Sequence, residues 1–400
     1  MKLKISDPII VSRGPDARTA GWGVFQFPDL TRLDENTILC KYANGADSNS
    51  EYGKKQENNC RISYDLGKTW EPVVLEDYDA VRGLPLDNGD KVFFVQPQSV
   101  PIQESWNLGE PAGFVKRKAQ LCFRIENISR DICENTWILA RTKPGADKPE
   151  LERVTLNWPN MVLRLCRGLL VPPITMGKLR KGPDGTLWMT NYDIGNGPWD
   201  NKFTGFLANY LFKSTDNGHT WDLAHYLPYD PADIPHPDAD NWEGFGENDI
   251  TYAPNGDLVR IIRTNGSLHK GVDGAGLLYT VRSSDGGKTW TEPKIFDKLG
   301  VWPRLLTLGC GVTLASYGRP GLYVRATDDP ACEKWEDPIE LIHSEFDALT
   351  ADVTGVGTCS YTDMIALDDR TALLAHTDFN IKDENGVPRK TVVVRYITVE

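Results

Sequence analysis

The 400-residue chain has no Cys-x-x-Cys pair, no Lys/Arg-rich run and no apolar stretch long enough to span a membrane. Each absence removes a class of function. Its eight cysteines (Cys40, Cys60, Cys122, Cys133, Cys166, Cys310, Cys332, Cys359) are scattered, which excludes zinc-ribbon and dithiol redox motifs. A net charge of −12 without a basic cluster argues against non-specific binding to nucleic acid or an anionic membrane. The opening residues, MKLKISDPIIVSRGPD, lack the apolar core of a signal peptide. The simplest expectation is a reduced, cytoplasmic protein, or a secreted or periplasmic one if a leader once preceded this sequence. Asn127 and Asn265 begin glycosylation sequons that matter only in a secreted eukaryotic protein. The six histidines (219, 225, 236, 269, 343, 376) show no metal-ligand spacing. No cofactor or metal is expected.

What is abundant is turn formers and aromatic rings: 36 glycines, 26 prolines, 12 tryptophans and 14 tyrosines. Rings of this kind fill β-cores and also suit the faces of sugars. The turns are not random. The pattern Ser-x-Asp-x-Gly-x-Thr-Trp occurs as SYDLGKTW (63–70), STDNGHTW (214–221) and SSDGGKTW (283–290). A stretched version, RATDDPACEKW, covers 325–335. Each box lies between short apolar segments, as a glycine turn in a β-hairpin does. Its spacing suits a repeat of about 70 residues with one degenerate copy. Strand–turn–strand patterns also recur at 27–42, 81–95, 174–193, 248–264, 302–318 and 359–376.

Six units able to supply four strands each, without a long helical pattern, predict an all-β fold. The expected fold is a single six-bladed β-propeller over 1–400 with four-stranded antiparallel blades. Approximate blade limits are 20–78, 79–165, 170–228, 243–297, 300–342 and 355–400, the N-terminal strand closing the last. Residues 97–165 fit worst and read as an elaborated second blade. A chain of small separate β-domains is the alternative. In either case the box is a structural staple, its Asp holding the turn amides and its Trp packing between strands.

Ser-x-Asp-x-Gly-x-Thr-Trp resembles the Asp-box, or bacterial neuraminidase repeat, of the sialidase superfamily of six-bladed propellers. The resemblance implies a site with a tyrosine nucleophile, a glutamate that activates it, an aspartate acid/base and three arginines that clamp the sugar carboxylate. Residue by residue it points to Tyr361 in CSYTDMIAL, and to Glu247 and Arg263 in GENDITYAPNGDLVRIIRT. Arg319 in SYGRPGLYV is the expected fifth-blade arginine, with Arg304 in WPRLL the lesser candidate. Asp47 lies where the family carries its acid/base, and a simple turn role for it stays open. The departure is in the first blade: the family's Phe/Tyr-Arg-Ile-Pro is replaced by FQFP (25–28), so Gln26 stands in the arginine's place. Glutamine brings no charge and no ionic fork. Losing one charge-assisted contact costs about 1.5–3 kcal/mol, which disfavours ordinary sialic acid. A neutral sugar, a differently held uronic acid or another acidic sugar fits better.

His376, after the same hairpin as Tyr361, is a further candidate for contact with substrate. Trp199, Trp242 and Trp302 read equally as sugar platforms or as packing. The acidic loop 230–249 matches no calcium-binding spacing and reads as a solvated rim. Three functions follow: an exo-acting retaining glycoside hydrolase on a terminal sugar, neutral or acidic; a polysaccharide lyase on the same propeller; and a non-catalytic carbohydrate-binding propeller. A carbohydrate is the expected partner in all three, with neither nucleic acid nor membrane; the oligomeric state stays open.

Overall fold

The structure, a computed structural model, describes residues 1–45, 47, 58–75, 83–95, 99–115, 120–124, 137–166, 168–171, 174–175, 178–266, 275–343 and 357–400. Their regular structure is almost entirely antiparallel strand; the helical segments described are two short 3-10 turns, Pro231–Asp233 and Ala239–Asn241. The chain divides into two compact units, residues 1–76, 249–263 and 267–400 in one, and 77–248 and 264–266 in the other. The division falls inside the strand Gly244–Tyr252.

The first unit is built from sheets packed face to face. One sheet runs Gln26–Arg32, Ile38–Ala43, Asn58–Ser63, Glu71–Val73 in chain order. A second contains Asp363–Ala366, Thr371–Asp378 and Arg389–Val399, and both Leu3–Ile5 and Ile9–Asp16 pair with its last strand. A third runs Val301–Thr307, Thr313–Gly318, Leu322–Thr327, Ile339–Ile342. Leu258–Asn265, Ala275–Ser283 and Lys294–Asp297 follow Gly244–Tyr252 in a further four-stranded run.

Period-two alternation explains the stacking. On Thr371–Asp378, Leu373 and Ala375 pack with Leu30, Ile38 and Tyr42 of the first sheet. Ala372 and Leu374 face the other way, onto Leu314, Val324 and Ala326 of the third. A strand covered on both faces reads as a nearly continuous apolar run, here TALLA. The third sheet's opposite face packs Leu305, Ala315 and Tyr317 against Val259, Ile261 and Leu278.

In the second unit, one sheet joins Leu84–Pro85, Lys91–Phe94, Ile138–Thr142 and Glu150–Arg153. A separate five-stranded sheet uses Val100–Pro101, Gly113–Val115, Gln120–Arg124, Val162–Cys166 and Leu169–Val171. Sequence reading assigns 79–165 to one blade; its described strands fall in these two sheets, apart from Thr155–Asn157, which pairs in parallel with Thr220–Leu227. Gly113–Val115 pairs with Gln120–Arg124, which finds its other partner beyond position 160, and Val115, Cys122 and Val162 cover Ile194 and Leu207. No local pattern signals so distant a pairing. The remaining strands of this unit include Leu187–Asn196, Phe203–Ser214 and Thr220–Leu227, joined as antiparallel neighbours.

The boxes share one geometry. The serine hydroxyl takes the glycine amide (Gly67 to Ser63 2.8 Å, Gly218 to Ser214 2.9 Å, Gly287 to Ser283 2.8 Å). The aspartate accepts the threonine amide at 2.9 Å in all three copies. The tryptophan indole donates back to the glycine carbonyl. Gly67, at φ +93°, needs to be glycine twice over, since a Cβ there would also meet Leu373 at 2.9 Å. The stretched box closes the same way with one residue inserted. Asp329 accepts the amides of Glu333 and Lys334, and the Trp335 indole donates to the carbonyl of Cys332, which holds φ +52° in glycine's place.

Candidate functional site

Tyr361 stands just before the strand Asp363–Ala366, and its neighbours are pinned from several directions. The Cys359 amide donates to the Thr377 hydroxyl at 3.0 Å. Ser360, at φ +67°, donates its hydroxyl to the carbonyl of Gly321 at 2.9 Å. Thr362 shares a 2.7 Å hydroxyl contact with Ser316 and accepts the Trp302 indole N–H at 2.9 Å. The half-buried tyrosine ring meets Phe27 edge-on at 4.8 Å between centroids, and Trp302 in a tilted contact at 4.7 Å. A phenol held this way has little freedom to turn away.

Phe27 and Trp302 are counterparts. Phe27-Pro28-Asp29-Leu30 and Trp302-Pro303-Arg304-Leu305 each open a sheet with an aromatic residue at positive φ (+57° and +49°). Each lies at a register shift, between Gln26 and Asp29 and between Val301 and Arg304. A bulge that forces a bulky residue into the left-handed region is strained, and such strain persists where the surroundings demand it. The leucine amide that follows is taken by an aspartate from a neighbouring strand: Leu30 by Asp363 at 2.7 Å, Leu305 by Asp249 at 3.0 Å. Those two aspartates stand two residues after Tyr361 and Glu247. Tyr361 and Glu247 therefore occupy equivalent positions of a structural repeat. Glu247 lies almost fully buried on Gly244–Tyr252, and Arg263 likewise on Leu258–Asn265.

One arginine lies against the tyrosine, and a second against Trp302. Arg319, buried at φ +70°, places its guanidinium carbon 5.8 Å from the Tyr361 ring and 5.6 Å from that of Trp22. The turn carrying it lies against Ser360: a Cβ at Gly318 would be 2.6 Å from the Ser360 Cβ and 2.4 Å from the Gly321 oxygen. Arg304 lies over Trp302, 4.4 Å from the ring centroid.

The segment 21–27 joins the other candidates to this group. Trp22 sits 6.3 Å from Phe27, its carbonyl accepts the Asp47 amide at 3.0 Å, and the Gly23 amide donates to Gln26 Oε1 at 3.0 Å. Gly23, at φ +97°, has no room for a Cβ, which would fall 2.3 Å from the Asp47 nitrogen. Asp47 is exposed; Gln26 is fully buried. Beneath them Lys390 donates to the Gly21 carbonyl at 2.7 Å, its amine pushed down by burial to about 8. The structure thus gathers Tyr361, Arg319, Gln26 and Asp47 through Trp22, Phe27 and Trp302.

His376 is placed otherwise. It is fully buried, with Arg395 Nε donating to its Nε2 at 3.1 Å and its Nδ1 at 3.1 Å from the Thr377 carbonyl. Both nitrogens are engaged inside the sheet. Burial holds the ring neutral, its pKa down to about 3. Of the other tryptophans read as sugar platforms, Trp242 is buried and stacks on His236 at 4.5 Å, while Trp199 is 70% exposed. Sequence reading passed over Trp22, Phe27 and Lys390 and ranked Arg304 low. The signal for Phe27 and Arg304 was present, as the echo of FPDL in WPRL. Among the described residues no group of three or more His, Cys, Asp or Glu is placed to hold a metal, and no helix is long and apolar enough to cross a membrane.

No protein-family profile and no curated protein matches the sequence. Solved structures do. A Dyadobacter fermentans protein of unknown function aligns over 100% of this chain and 99% of its own, with TM-score 0.62 and 16% identity. The α-L-arabinanase of Penicillium chrysogenum, solved with arabinobiose, aligns over 98% of both chains with TM-score 0.54 and 13% identity. A Streptococcus pneumoniae sialidase aligns over 98% of this chain and 71% of its own, with TM-score 0.54 and 12% identity. The chain shares the fold of these structures. At such identities the likeness extends to the sialidase-like propeller fold and leaves activity to be argued from the residues.

Proposed function

We propose that this chain is a six-bladed, sialidase-like glycoside hydrolase that removes a terminal sugar with retention of configuration. Tyr361 attacks the anomeric carbon, Glu247 takes the phenolic proton, and Asp47 protonates the leaving oxygen. Arg263 and Arg319 hold an acidic group of the sugar. A phenol titrates near 10 and needs a base to attack at neutral pH. A neutral nucleophile also avoids the repulsion that a carboxylate would meet beside an anionic sugar. The observation that carries this reading is Tyr361 itself: a half-buried phenol fixed between Trp302 and Phe27, with the Arg319 guanidinium alongside. The equivalence of Tyr361 and Glu247 in the repeat supports their pairing in function.

The test is product release from a panel of sialosides, uronides, arabinosides and neutral hexosides, with ultraviolet absorbance recorded for unsaturated products. Wild type is expected to release one sugar as the retained anomer, and Tyr361→Phe to lose turnover by about a thousandfold or more with an unchanged near-ultraviolet circular dichroism spectrum. Full activity in Tyr361→Phe sinks the assignment. An unsaturated product replaces it with the lyase, and binding without release with the non-catalytic propeller.

A further inference from the structure

We propose that Lys390 is a positioning residue of this site: its buried ammonium holds the turn that starts at Gly21 and so sets Trp22 beside Arg319. Lys390 lies on the strand Arg389–Val399 and is 1% exposed. A lysine is almost never buried to this degree unless it is paired. Here Nζ donates to the Gly21 carbonyl at 2.7 Å and lies 5.2 Å from the centroid of the Phe379 ring. Among the described residues no carboxylate lies within ion-pair distance of it. On the elements packed around it, Asp16 is paired with Arg18, Arg389 with Asp383, and Arg395 is bonded to the neutral His376. Arg13 and Asp378 both stand opposite Thr391, the next residue, and burial pushes the Asp378 carboxyl up. The Cys359 thiol acts on the amine itself and favours its charged form.

Both ends of the turn rest on Lys390. Before it, the chain is fixed by backbone bonds, from the Ala17 amide to Pro388 at 2.9 Å and from the Ala20 amide to Asp16 at 3.0 Å. At its start the Gly21 carbonyl takes the ammonium, and also the Val24 amide at a long 3.4 Å. At its end the Phe25 ring crowds the Lys390 backbone: a Cβ at Gly14 would fall 2.6 Å from both that ring and the Lys390 carbonyl oxygen. Between these supports stands Trp22, 5.6 Å from the Arg319 guanidinium carbon, its carbonyl taking the Asp47 amide. Phe379, against which the ammonium lies, belongs with Ala17 and Cys359 to the cluster on which both Trp22 and Tyr361 pack. A charged donor binds a carbonyl about twice as strongly as a neutral one, so loss of the proton loosens the turn. Burial brings the amine to about 8, below its ordinary 10.5. Between those values the unfolded chain holds more of this proton than the native state, so the charge costs stability, and that cost fades as pH rises from 8 toward 10.5. An uncompensated charge that destabilises the fold while it fixes a loop at the site is the mark of a functional constraint.

The inference rests on the hydrolase reading only for its turnover assay, so the place of Trp22 and turnover are measured separately. The full chain is labelled with 5-fluorotryptophan, and the Trp22 resonance is identified by its loss in Trp22→Phe. Fluorine spectra, thermal melts and kcat/KM on the glycoside that wild type hydrolyses are then recorded against pH for wild type, Lys390→Met and Lys390→Arg. In wild type the Trp22 resonance is expected to shift with a midpoint near pH 8, and kcat/KM to fall on the same midpoint. Lys390→Met shows the shifted resonance at every pH and a kcat/KM lower by about tenfold, the value of one charge-assisted hydrogen bond. At pH 7 it melts higher than wild type, and the difference closes as pH rises toward 10.5. Lys390→Arg stays charged and keeps the wild-type resonance with no midpoint near 8. If the arginine variant does not fold, the wild-type midpoint and the methionine variant carry the test. A Trp22 resonance that does not move in wild type, or that Lys390→Met leaves in place, overturns the proposal. So does a methionine variant that melts lower than wild type at pH 7, since that makes Lys390 a purely structural residue. A Trp22 resonance that follows Lys390 in a chain that hydrolyses no glycoside overturns the hydrolase reading alone.

Discussion

The ring of Tyr361 packs on that of Trp302 with centroids 4.7 Å apart and planes 33° apart, while the Trp302 indole donates to the carbonyl of the next residue, Thr362. One side chain therefore fixes both the face of the phenol and the backbone beside it, and also underlies Arg304.

Trp302→Ala removes all three contacts. It is expected to cost about 3 kcal/mol of stability by urea denaturation, the lower end for loss of a large aromatic side chain because Trp302 is only partly buried. Trp302→Phe keeps a ring but loses the indole hydrogen bond, and should cost about 1 kcal/mol. Equal losses in the two variants would show that the stacking contributes nothing.

Gly318→Ala tests the link between Arg319 and Tyr361. The added Cβ falls 2.4 Å from the Gly321 oxygen and 2.6 Å from the Ser360 Cβ, so the turn must move away from the tyrosine segment. The expected cost is about 1–3 kcal/mol, with any glycosidase activity reduced more than tenfold. A variant as stable and active as wild type would mean that this close approach has no role.

Acid should act in two stages. His376 is held neutral down to about pH 3, below its ordinary 6.5, by burial and secondarily by the Arg395 charge, while its bond to Thr377 opposes the shift. Below about 6.5 the unfolded chain takes up a proton that the native state refuses, so stability falls as pH drops from 6.5 toward 3. Asp65 is shifted for a different reason. Burial pushes its carboxyl up, but hydrogen bonds from Thr69, Ser63 and Lys68 outweigh it and bring the pKa to about 2, below the ordinary 3.8. Its contribution is present above 3.8 and is lost as pH falls toward 2. Thermal melts across this range should show His376→Gln flattening the upper part of the decline and Asp65→Asn the lower part. A profile unchanged by either variant refutes the assignment.

Much of the architecture was legible because it is local. A box of eight residues closes on its own Ser, Asp, Gly and Trp, and even the stretched copy at 325–335 does so with Cys332 in place of glycine. Tyr361 and Arg319 became candidates through the family resemblance, and the structure sets the Arg319 guanidinium 5.8 Å from the Tyr361 ring. The pairing of Gln120–Arg124 with Val162–Cys166 was not legible, because it spans some forty residues of intervening chain. Nor was the fate of His376, since a histidine in an apolar run does not reveal that Arg395, nineteen residues on, will occupy its Nε2.

What the sequence alone determined is therefore the all-β character, the repeating turn and the kinds of residue available for chemistry, all properties of short stretches of chain. Tertiary structure decided which of those residues meet. Phe27 and Trp302 lie 275 positions apart, yet the stacking of apolar sheet faces brings both onto Tyr361. The same packing buries Arg304 against the face of Trp302.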